Sequence, residues 1–121
     1  MTGRGSAFDF ASFKRAYEHQ NLDDWVSFYA DDVEWIEYRD YLPPRFPNRM
    51  VGKRQIAGFP REIYEADLDL TIADEVISMD RIAFSVDCAF PDGRYVFEHV
   101  IAHLRDGRIV CQVDMEAWDE E

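Results

Sequence analysis

Hydrophobic residues change their spacing along this chain, from helical spacing near the N-terminus to strict alternation in the second half. Phe10, Phe13 and Tyr17 recur at the spacing of one helix face. They predict a first helix that starts with Ser6 as its cap and runs to about Gln20. The N-terminal part of the chain is therefore expected to be helical.

Two short elements and a loop are expected next. Asn21 is a typical cap for a second helix, and the β-rich run from Val33 to Tyr38 follows it almost at once. Residues 39–51 contain three prolines, which remove amide donors and predict a loop. Gly52 then precedes a third helix that runs through Phe59.

The remainder alternates with a period of two and predicts four strands over residues 68–78, 82–90, 95–104 and 109–118. The dipeptides Asp92-Gly93 and Asp106-Gly107 are typical hairpin turns between them. Helices come first and an antiparallel meander follows, so the predicted class is α+β. We expect a single domain over residues 1–121, with a core over about 8–119.

The alternation assigns the residues of the last three strands to two faces. One face carries Ile82, Phe84, Val86, Cys88, Phe90, Tyr95, Phe97, His99, Ile101, His103, Cys111, Val113 and Met115, and the other carries Ala83, Ser85, Asp87, Val96, Glu98, Val100, Gln112, Asp114 and Glu116. In one interpretation the apolar face meets the helices and the acidic face meets water. In the other, the helices cover the acidic face as a polar cavity and the apolar face is buried in a homodimer.

Composition excludes several classes of protein. The chain has 121 residues, 47% of them hydrophobic, and a formal charge of −12, which disfavours binding to nucleic acid or to an anionic membrane. No run approaches the ~18 apolar residues of a membrane span. The first ten residues lack the apolar core of a signal peptide. Cys88 and Cys111 have no metal-ligand spacing, and we expect two reduced thiols in a cytoplasmic protein.

Three motifs carry a family resemblance: Tyr-Ala-Asp-Asp at residues 29–32, Gly-Lys-Arg-Gln-Ile at 52–56 and Asp-Gly-Arg-Ile at 106–109. With the order of elements, they resemble the nuclear transport factor 2 superfamily, which includes the SnoaL-like polyketide cyclases, ketosteroid isomerases, scytalone dehydratase and limonene epoxide hydrolase. The resemblance implies a curved antiparallel sheet wrapped around an N-terminal helical layer, a cystatin-like cone with a central pocket. It favours helices over the acidic face. It also implies that neither a metal nor another cofactor is needed.

This chain keeps some of the catalytic positions of these relatives and lacks others. Glu37 falls where ketosteroid isomerases keep the proton-shuttling Asp, but Phe13 and Val100 fall where they keep the two oxyanion donors. Steroid isomerisation is therefore not expected. Asp114 matches the acid that limonene epoxide hydrolase and many SnoaL-like proteins keep five residues after the turn's Ile. The second acid of the epoxide hydrolase is missing here, and Gln112 replaces a frequent His, so epoxide hydrolysis is not expected either.

Carboxylates crowded into such a pocket cannot all ionise, so one would act as a general acid and its neighbour as a general base. We expect Asp114 as the base, with Glu37 or Glu116 as its partner. The residues expected to contact substrate are Tyr17, Trp35, Ser85, Glu98, Val100, Gln112 and Arg45. If the other sheet face lay under the helices, His99 would replace Asp114 as the base.

Residues 41–61 contain five cationic residues, Arg45 among them, and no acid. This segregation indicates a rim that steers an anionic substrate. We therefore expect a small enzyme that uses acid–base chemistry of the isomerase, cyclase or dehydratase type on a small carbonyl-bearing, possibly anionic molecule. The alternative is a non-catalytic module for ligand binding or dimerisation on the same fold.

Overall fold

The computed structural model describes residues 7–39, 42–58 and 68–119. Its elements are α1 (Phe10–Glu18), α2 (Leu22–Val26), β1 (Tyr29–Tyr38), β2 (Asn48–Val51), α3 (Lys53–Gly58), β3 (Asp69–Ile77), β4 (Arg81–Ala89), β5 (Tyr95–Arg105) and β6 (Arg108–Trp118). The α+β class is confirmed, with N-terminal helices against one curved, unclosed sheet of six strands. Within these residues no helix is long and apolar enough to cross a membrane.

Local capping fixes where the first two helices begin. The Asp9 carboxylate accepts the Ser12 amide at 3.1 Å, so α1 starts later than predicted. The predicted cap, Ser6, lies outside the described residues. Asn21 caps α2 as expected and accepts the Asp24 amide at 3.2 Å.

The sheet has the order β2-β1-β6-β5-β4-β3, and every neighbouring pair is antiparallel except β1 with β6. The turn between β5 and β6 has positive φ at Asp106 (52°) and Gly107 (75°), the geometry that a tight hairpin needs. The parallel pairing places the acid-bearing end of β1 beside the acids of β6. This pairing, between strands far apart in sequence, builds the site.

Two strand limits differ from the prediction. β1 starts at Tyr29, where a bulge separates its first pair with β6 from the regular ladder. The predicted loop 39–51 contains β2, which follows the last of the three prolines and pairs with β1 at the edge of the sheet. Proline is compatible with the start of an edge strand. The three prolines therefore predicted a loop at a place where an edge strand begins.

Strand register corrects the predicted division of the sheet faces. Phe84 pairs with Val100, and Val100 pairs with Asp114, so all three side chains lie on one face. The apolar residues of β4 therefore share a face with the acids of β5 and β6, whereas the alternation placed them opposite. Alternation assigns residues within a strand, but the register between strands depends on the hairpin that joins them.

The helices cover this mixed inner face. The rings of Phe10, Phe13 and Tyr17 contact Phe84 at centroid distances of 5.7, 5.7 and 6.5 Å. The outer face carries His99 and His103, both exposed, and Ile101, which is 50% exposed. The acids of β5 and β6 therefore lie under the helices, and His99 does not.

Candidate functional site

Four acidic side chains from three strands converge on the inner face of the sheet. Glu37 of β1 is paired with Asp114 of β6, and Glu98 of β5 is paired with Glu116 of β6. Glu37 and Asp114 are 3% and 0% exposed. One carboxyl oxygen from each of Glu98, Asp114 and Glu116 lies within 4.8 Å of the others. Burial of so many acids in one place is costly unless protons are shared.

The first pair of carboxyls is Glu98 with Asp114. Burial, the Asp114 charge and the Glu37 charge raise the pKa of Glu98 well above its usual range. Burial and the charges of Glu116 and Glu37 also raise the pKa of Asp114 well above its usual range, although hydrogen bonds from Gln112 and Glu98 oppose that rise. The polar contact between the two acids favours the proton on Glu98 and the charge on Asp114.

The second pair is Glu116 with Glu37. Burial and a hydrogen bond with Glu37 raise the pKa of Glu116 to about 10. Trp118 Nε1 donates to Glu116 Oε1 at 2.8 Å, and Asn48 Nδ2 donates to Glu37 Oε1 at 2.9 Å. Arg39 Nε lies 3.5 Å from Glu116 Oε1. This second pair is therefore held on several sides by protein donors.

An amide donor holds one of the two oxygens of Asp114. Its Oδ1 accepts Gln112 Nε2 at 3.0 Å, and Gln112 Oε1 accepts the Tyr29 hydroxyl at 2.6 Å. Asp114 Oδ2 is buried and accepts no hydrogen bond from an N–H, hydroxyl or ring donor of a described residue, so the neighbouring Glu98 carboxyl is the polar group that faces Asp114 beside Gln112. A buried carboxylate oxygen without such a donor is unusual, and Oδ2 is therefore a candidate for contact with a ligand.

Two of the predicted substrate-binding residues lie next to the acids in the sheet. Val100 pairs with Asp114, and Trp35 pairs with Gln112. Tyr17 comes from α1, and its ring is edge-on to Trp25 at 5.9 Å and to Phe84 at 6.5 Å. Tyr17, Trp35 and Val100 are at most 7% exposed.

Two of the predicted substrate-binding residues lie elsewhere. Ser85 pairs with His99 and so belongs to the outer face, where its Oγ donates to the Ala73 carbonyl at 3.2 Å. Arg45 is exposed in the turn before β2 and forms no ion pair with a described residue. Of the neighbouring cations, Arg49 pairs with Glu34 and Lys53 lies 3.8 Å from Asp31.

Sequence patterns do not indicate Tyr29, Asn48 and Trp118 as partners of the site. Tyr29 belongs to the Tyr-Ala-Asp-Asp motif, which predicts no contact with the acids. Its role depends on the parallel pairing of β1 with β6, which no local pattern indicates. Asn48 reaches the site because β2 pairs with β1 opposite Glu37.

The three oxygens of Glu98, Asp114 and Glu116 are the ligand type that a hard divalent cation prefers. A cation there would have to displace the protons that Glu98 and Glu116 retain. An open depression between α1 and α2 is a separate feature, lined by Ser12, Arg15, His19 and Asn21 among others. Several of its polar groups serve as helix caps, as Asn21 does with Asp24.

The family comparison agrees with this architecture. A model described as a SnoaL-like domain matches residues 10–112. The chain belongs to the SnoaL-like domain family. None of the curated proteins matches the sequence.

Similar solved structures share the fold at low identity. A Kribbella flavida protein named "putative ketosteroid isomerase" has a TM-score of 0.71 and 20% identity over 93% of this chain and 76% of its own. A SnoaL-like protein of Burkholderia thailandensis has a TM-score of 0.62 and 21% identity over 92% of each chain. An NTF2-like protein of Burkholderia pseudomallei has a TM-score of 0.66 and 18% identity over 91% of this chain and 87% of its own. This SnoaL-like chain therefore shares their fold, and one fold hosts many activities.

Proposed function

We propose that this SnoaL-like protein is a small cofactor-independent enzyme that moves a proton next to a carbonyl group, with Asp114 as the general base. The observation that carries the proposal is the state of the Asp114 carboxyl. It is fully buried, its Oδ1 is held by Gln112, its Oδ2 has no N–H or hydroxyl donor within the described residues, and it contacts the Glu98 carboxyl. A buried base next to a neutral acid is the arrangement that such chemistry needs.

The reaction step assigns complementary roles to the first pair. Asp114 Oδ2 accepts the proton on the carbon next to the carbonyl. The electron pair of that C–H bond becomes a C=C bond, and the carbonyl π electrons move to the oxygen. Glu98, which retains its proton, donates it to that oxygen and stabilises the enol. In an enone the enol is conjugated with a second C=C bond. Return of the Asp114 proton to the far carbon of that bond, and of the enol proton to Glu98, completes an isomerisation.

A cyclisation uses the same enol. There the enol carbon forms a bond to a second carbonyl carbon of the same molecule, whose π electrons move to its oxygen. The enol oxygen re-forms its C=O bond and returns its proton to Glu98, and the Asp114 proton passes to the new alkoxide oxygen. The isomerase proposal rests on the site alone, whereas a cyclase also requires a cavity long enough for a folded substrate.

The substrate proposed is small and carbonyl-bearing, and any anionic group it carries is placed outside the acid cluster. An anion beside Glu37 and Asp114 would be repelled. The turn that contains Arg45 leads directly into β2, and β2 delivers Asn48 to Glu37. A carboxylate of the substrate near Arg45 would leave its carbonyl end free to enter the site.

The alternative is a non-catalytic ligand-binding module on the same fold. In such a module the acids would be neutralised by arginine. Among the described residues only Glu116 of the cluster has an arginine partner, Arg39. Glu98 and Asp114 have none there, which favours the enzyme.

We also propose a cytoplasmic homodimer. Cys88 and Cys111 are free thiols, as is usual for proteins of a reducing compartment. The outward positions of the central strands β5 and β6 carry no carboxylate, although the chain has 25 acids. Repulsion between two acidic copies is smallest at such a surface, and exposed Ile101 and Met115 offer apolar area there.

Deuterium incorporation tests the enzyme proposal without knowledge of the substrate. Small ketones, enones and keto acids would be incubated with the protein in D₂O, and exchange next to the carbonyl followed by NMR. We expect Asp114→Asn to lower the exchange rate about 100-fold or more. Asp32→Asn is the matched control, because Asp32 is exposed and bonds only to Arg105 among the described residues. Equal exchange by Asp114→Asn and the unaltered protein would contradict the proposal.

A further inference from the structure

Gln112 lies between the Asp114 carboxylate and the Tyr29 hydroxyl, and these two groups decide which end of its amide donates and which end accepts. An ionised carboxylate can only accept, so the Gln112 amide must turn its NH₂ group toward Asp114. Its oxygen then faces Tyr29, whose hydroxyl donates to it at 2.6 Å. Both bonds are buried, and Gln112 itself is 0% exposed. The amide is therefore fixed in one of its two orientations.

We propose that Tyr29 and Gln112 are positioning residues that act through Asp114, favouring its ionised form by a donated hydrogen bond and directing Oδ2 toward the substrate. This inference rests on the proposed function, in which Asp114 is the base. It assigns the motif residue Tyr29 a role in the site, and it makes Gln112 a partner of the base rather than a direct contact to the substrate.

Fixing the amide matters because Asp114 could otherwise take up a proton. Three acids face it from neighbouring positions: Glu37 of β1, Glu98 of β5 and Glu116 of β6, with Arg39 at the far side of Glu116. If the amide could rotate, its oxygen would accept a hydrogen bond from the O–H of a neutral Asp114 equally well. The Tyr29 hydroxyl occupies that oxygen and so removes the orientation that favours neutral Asp114.

Packing of Tyr29 does not depend on its hydroxyl. Its ring is stacked on Trp35, with an interplanar angle of 3° at 6.0 Å, and contacts Trp25 at 4.8 Å. A phenylalanine would keep these contacts. Tyr29→Phe therefore removes the hydrogen bond while leaving the aromatic core in place, which separates positioning from folding.

The test measures the ionisation of Asp114 directly, with ¹³C NMR of the labelled carboxyl carbons through a pH titration. We expect Tyr29→Phe to shift the Asp114 pKa upward, and Gln112→Met to shift it further, because it removes the donor itself. Tyr95→Phe is the matched control, since Tyr95 donates to Asp87 on the outer face. Its Asp114 titration should match that of the unaltered protein.

The unaltered protein offers a second measurement that needs no substitution. Its Gln112 side-chain amide protons should change chemical shift with pH in step with the Asp114 carboxyl carbon. If either variant fails to fold, this measurement still tests whether Gln112 responds to the ionisation of Asp114. An Asp114 titration unchanged in both folded variants, or Gln112 amide signals insensitive to it, would overturn the proposal.

Kinetics separates this inference from the enzyme proposal. With a substrate found by deuterium exchange, Tyr29→Phe should lower kcat about tenfold at neutral pH and shift the acidic limb of the pH–rate profile to higher pH, with KM little changed. If the NMR shifts appear but the unaltered protein exchanges no substrate, the positioning holds and the enzyme proposal fails. If exchange is found but the Asp114 pKa does not move, the enzyme proposal stands and the positioning is wrong.

Discussion

Glu98 lies diagonally across the β5–β6 ladder from Asp114, and a carboxyl oxygen of each lies within 4.8 Å of the other. Neither has an arginine partner among the described residues. Two acids so close in a buried space share a proton, and their surroundings decide which one keeps it. Gln112 donates to Asp114, so the charge is favoured there and the proton on Glu98. A chemically symmetrical pair thereby becomes an acid and a base.

Asp114→Asn should stabilise the fold while it removes the base. Asparagine keeps an oxygen that can accept from Gln112, and it removes a charge that burial and neighbouring acids disfavour. We expect the free energy of unfolding at pH 7 to rise by about 1 kcal/mol. Thermal unfolding followed by circular dichroism measures it. Asp32→Asn should stay within about 0.5 kcal/mol of the unaltered protein, and a clear loss of stability in Asp114→Asn would contradict this account.

Local patterns predicted the elements well, but the site depends on pairings that they do not encode. Alternation and turn chemistry located the four strands β3 to β6 within about a residue at each end. The convergence of Glu37 with Asp114 came only from the family resemblance, because it requires the parallel β1–β6 pair. The faces of β4 were misassigned relative to β5, which placed Ser85 among the acids. Register is a tertiary property, and an error of one residue reverses a face.

Stability should fall as the pH rises, because the folded state holds protons on acids that the unfolded chain would release. Glu116 has its pKa raised from 4.5 to about 10, while its side chain is only 4% exposed. Between these two values the folded state binds more protons than the unfolded state, so each step upward in pH costs stability. The loss begins above about pH 4.5 and, for one such group, reaches at most about 1.4 kcal/mol per pH unit. Urea unfolding from pH 5 to pH 9 measures the slope.

Glu116→Gln tests whether Glu116 causes that slope. Glutamine keeps an oxygen for Trp118 Nε1 and cannot ionise. The variant should lose stability less steeply with pH than the unaltered protein. Glu34→Gln is the control, because Glu34 is half-exposed and paired with Arg49 on the outer face. A slope in Glu116→Gln as steep as that of the unaltered protein would show that the proton is held elsewhere.

Cys88 should be unreactive in the folded protein. Burial, followed by the charges of Glu98 and Glu116, raises its pKa to about 12, so at pH 8 roughly one molecule in ten thousand carries the thiolate. We expect DTNB to label Cys88 only when the chain unfolds. Comparison of Cys88→Ala with Cys111→Ala assigns each thiol. Rapid labelling of Cys88 under native conditions would mean that the inner face of the sheet opens readily.

The homodimer prediction rests on the charge pattern of the outer sheet face. Its central positions on β5 and β6 carry no carboxylate, and the acids Asp87 and Glu34 on the flanking strands are bonded to Tyr95 and Arg49. We expect sedimentation equilibrium to give twice the mass of one chain. Ile101→Glu places a charge on both copies at this surface and should increase the dissociation constant at least tenfold.

Met79→Glu is the matched control for that experiment. Met79 is 93% exposed but lies in the turn between β3 and β4, away from the centre of the face. Met79→Glu adds the same charge to the chain as Ile101→Glu does, but at a different place. Comparison of the two variants therefore separates the effect of position from that of net charge. If both variants weaken the dimer equally, general repulsion explains the loss. A monomeric unaltered protein would mean that the chain tolerates an exposed apolar strip on β5 and β6, and the dimer proposal would fail.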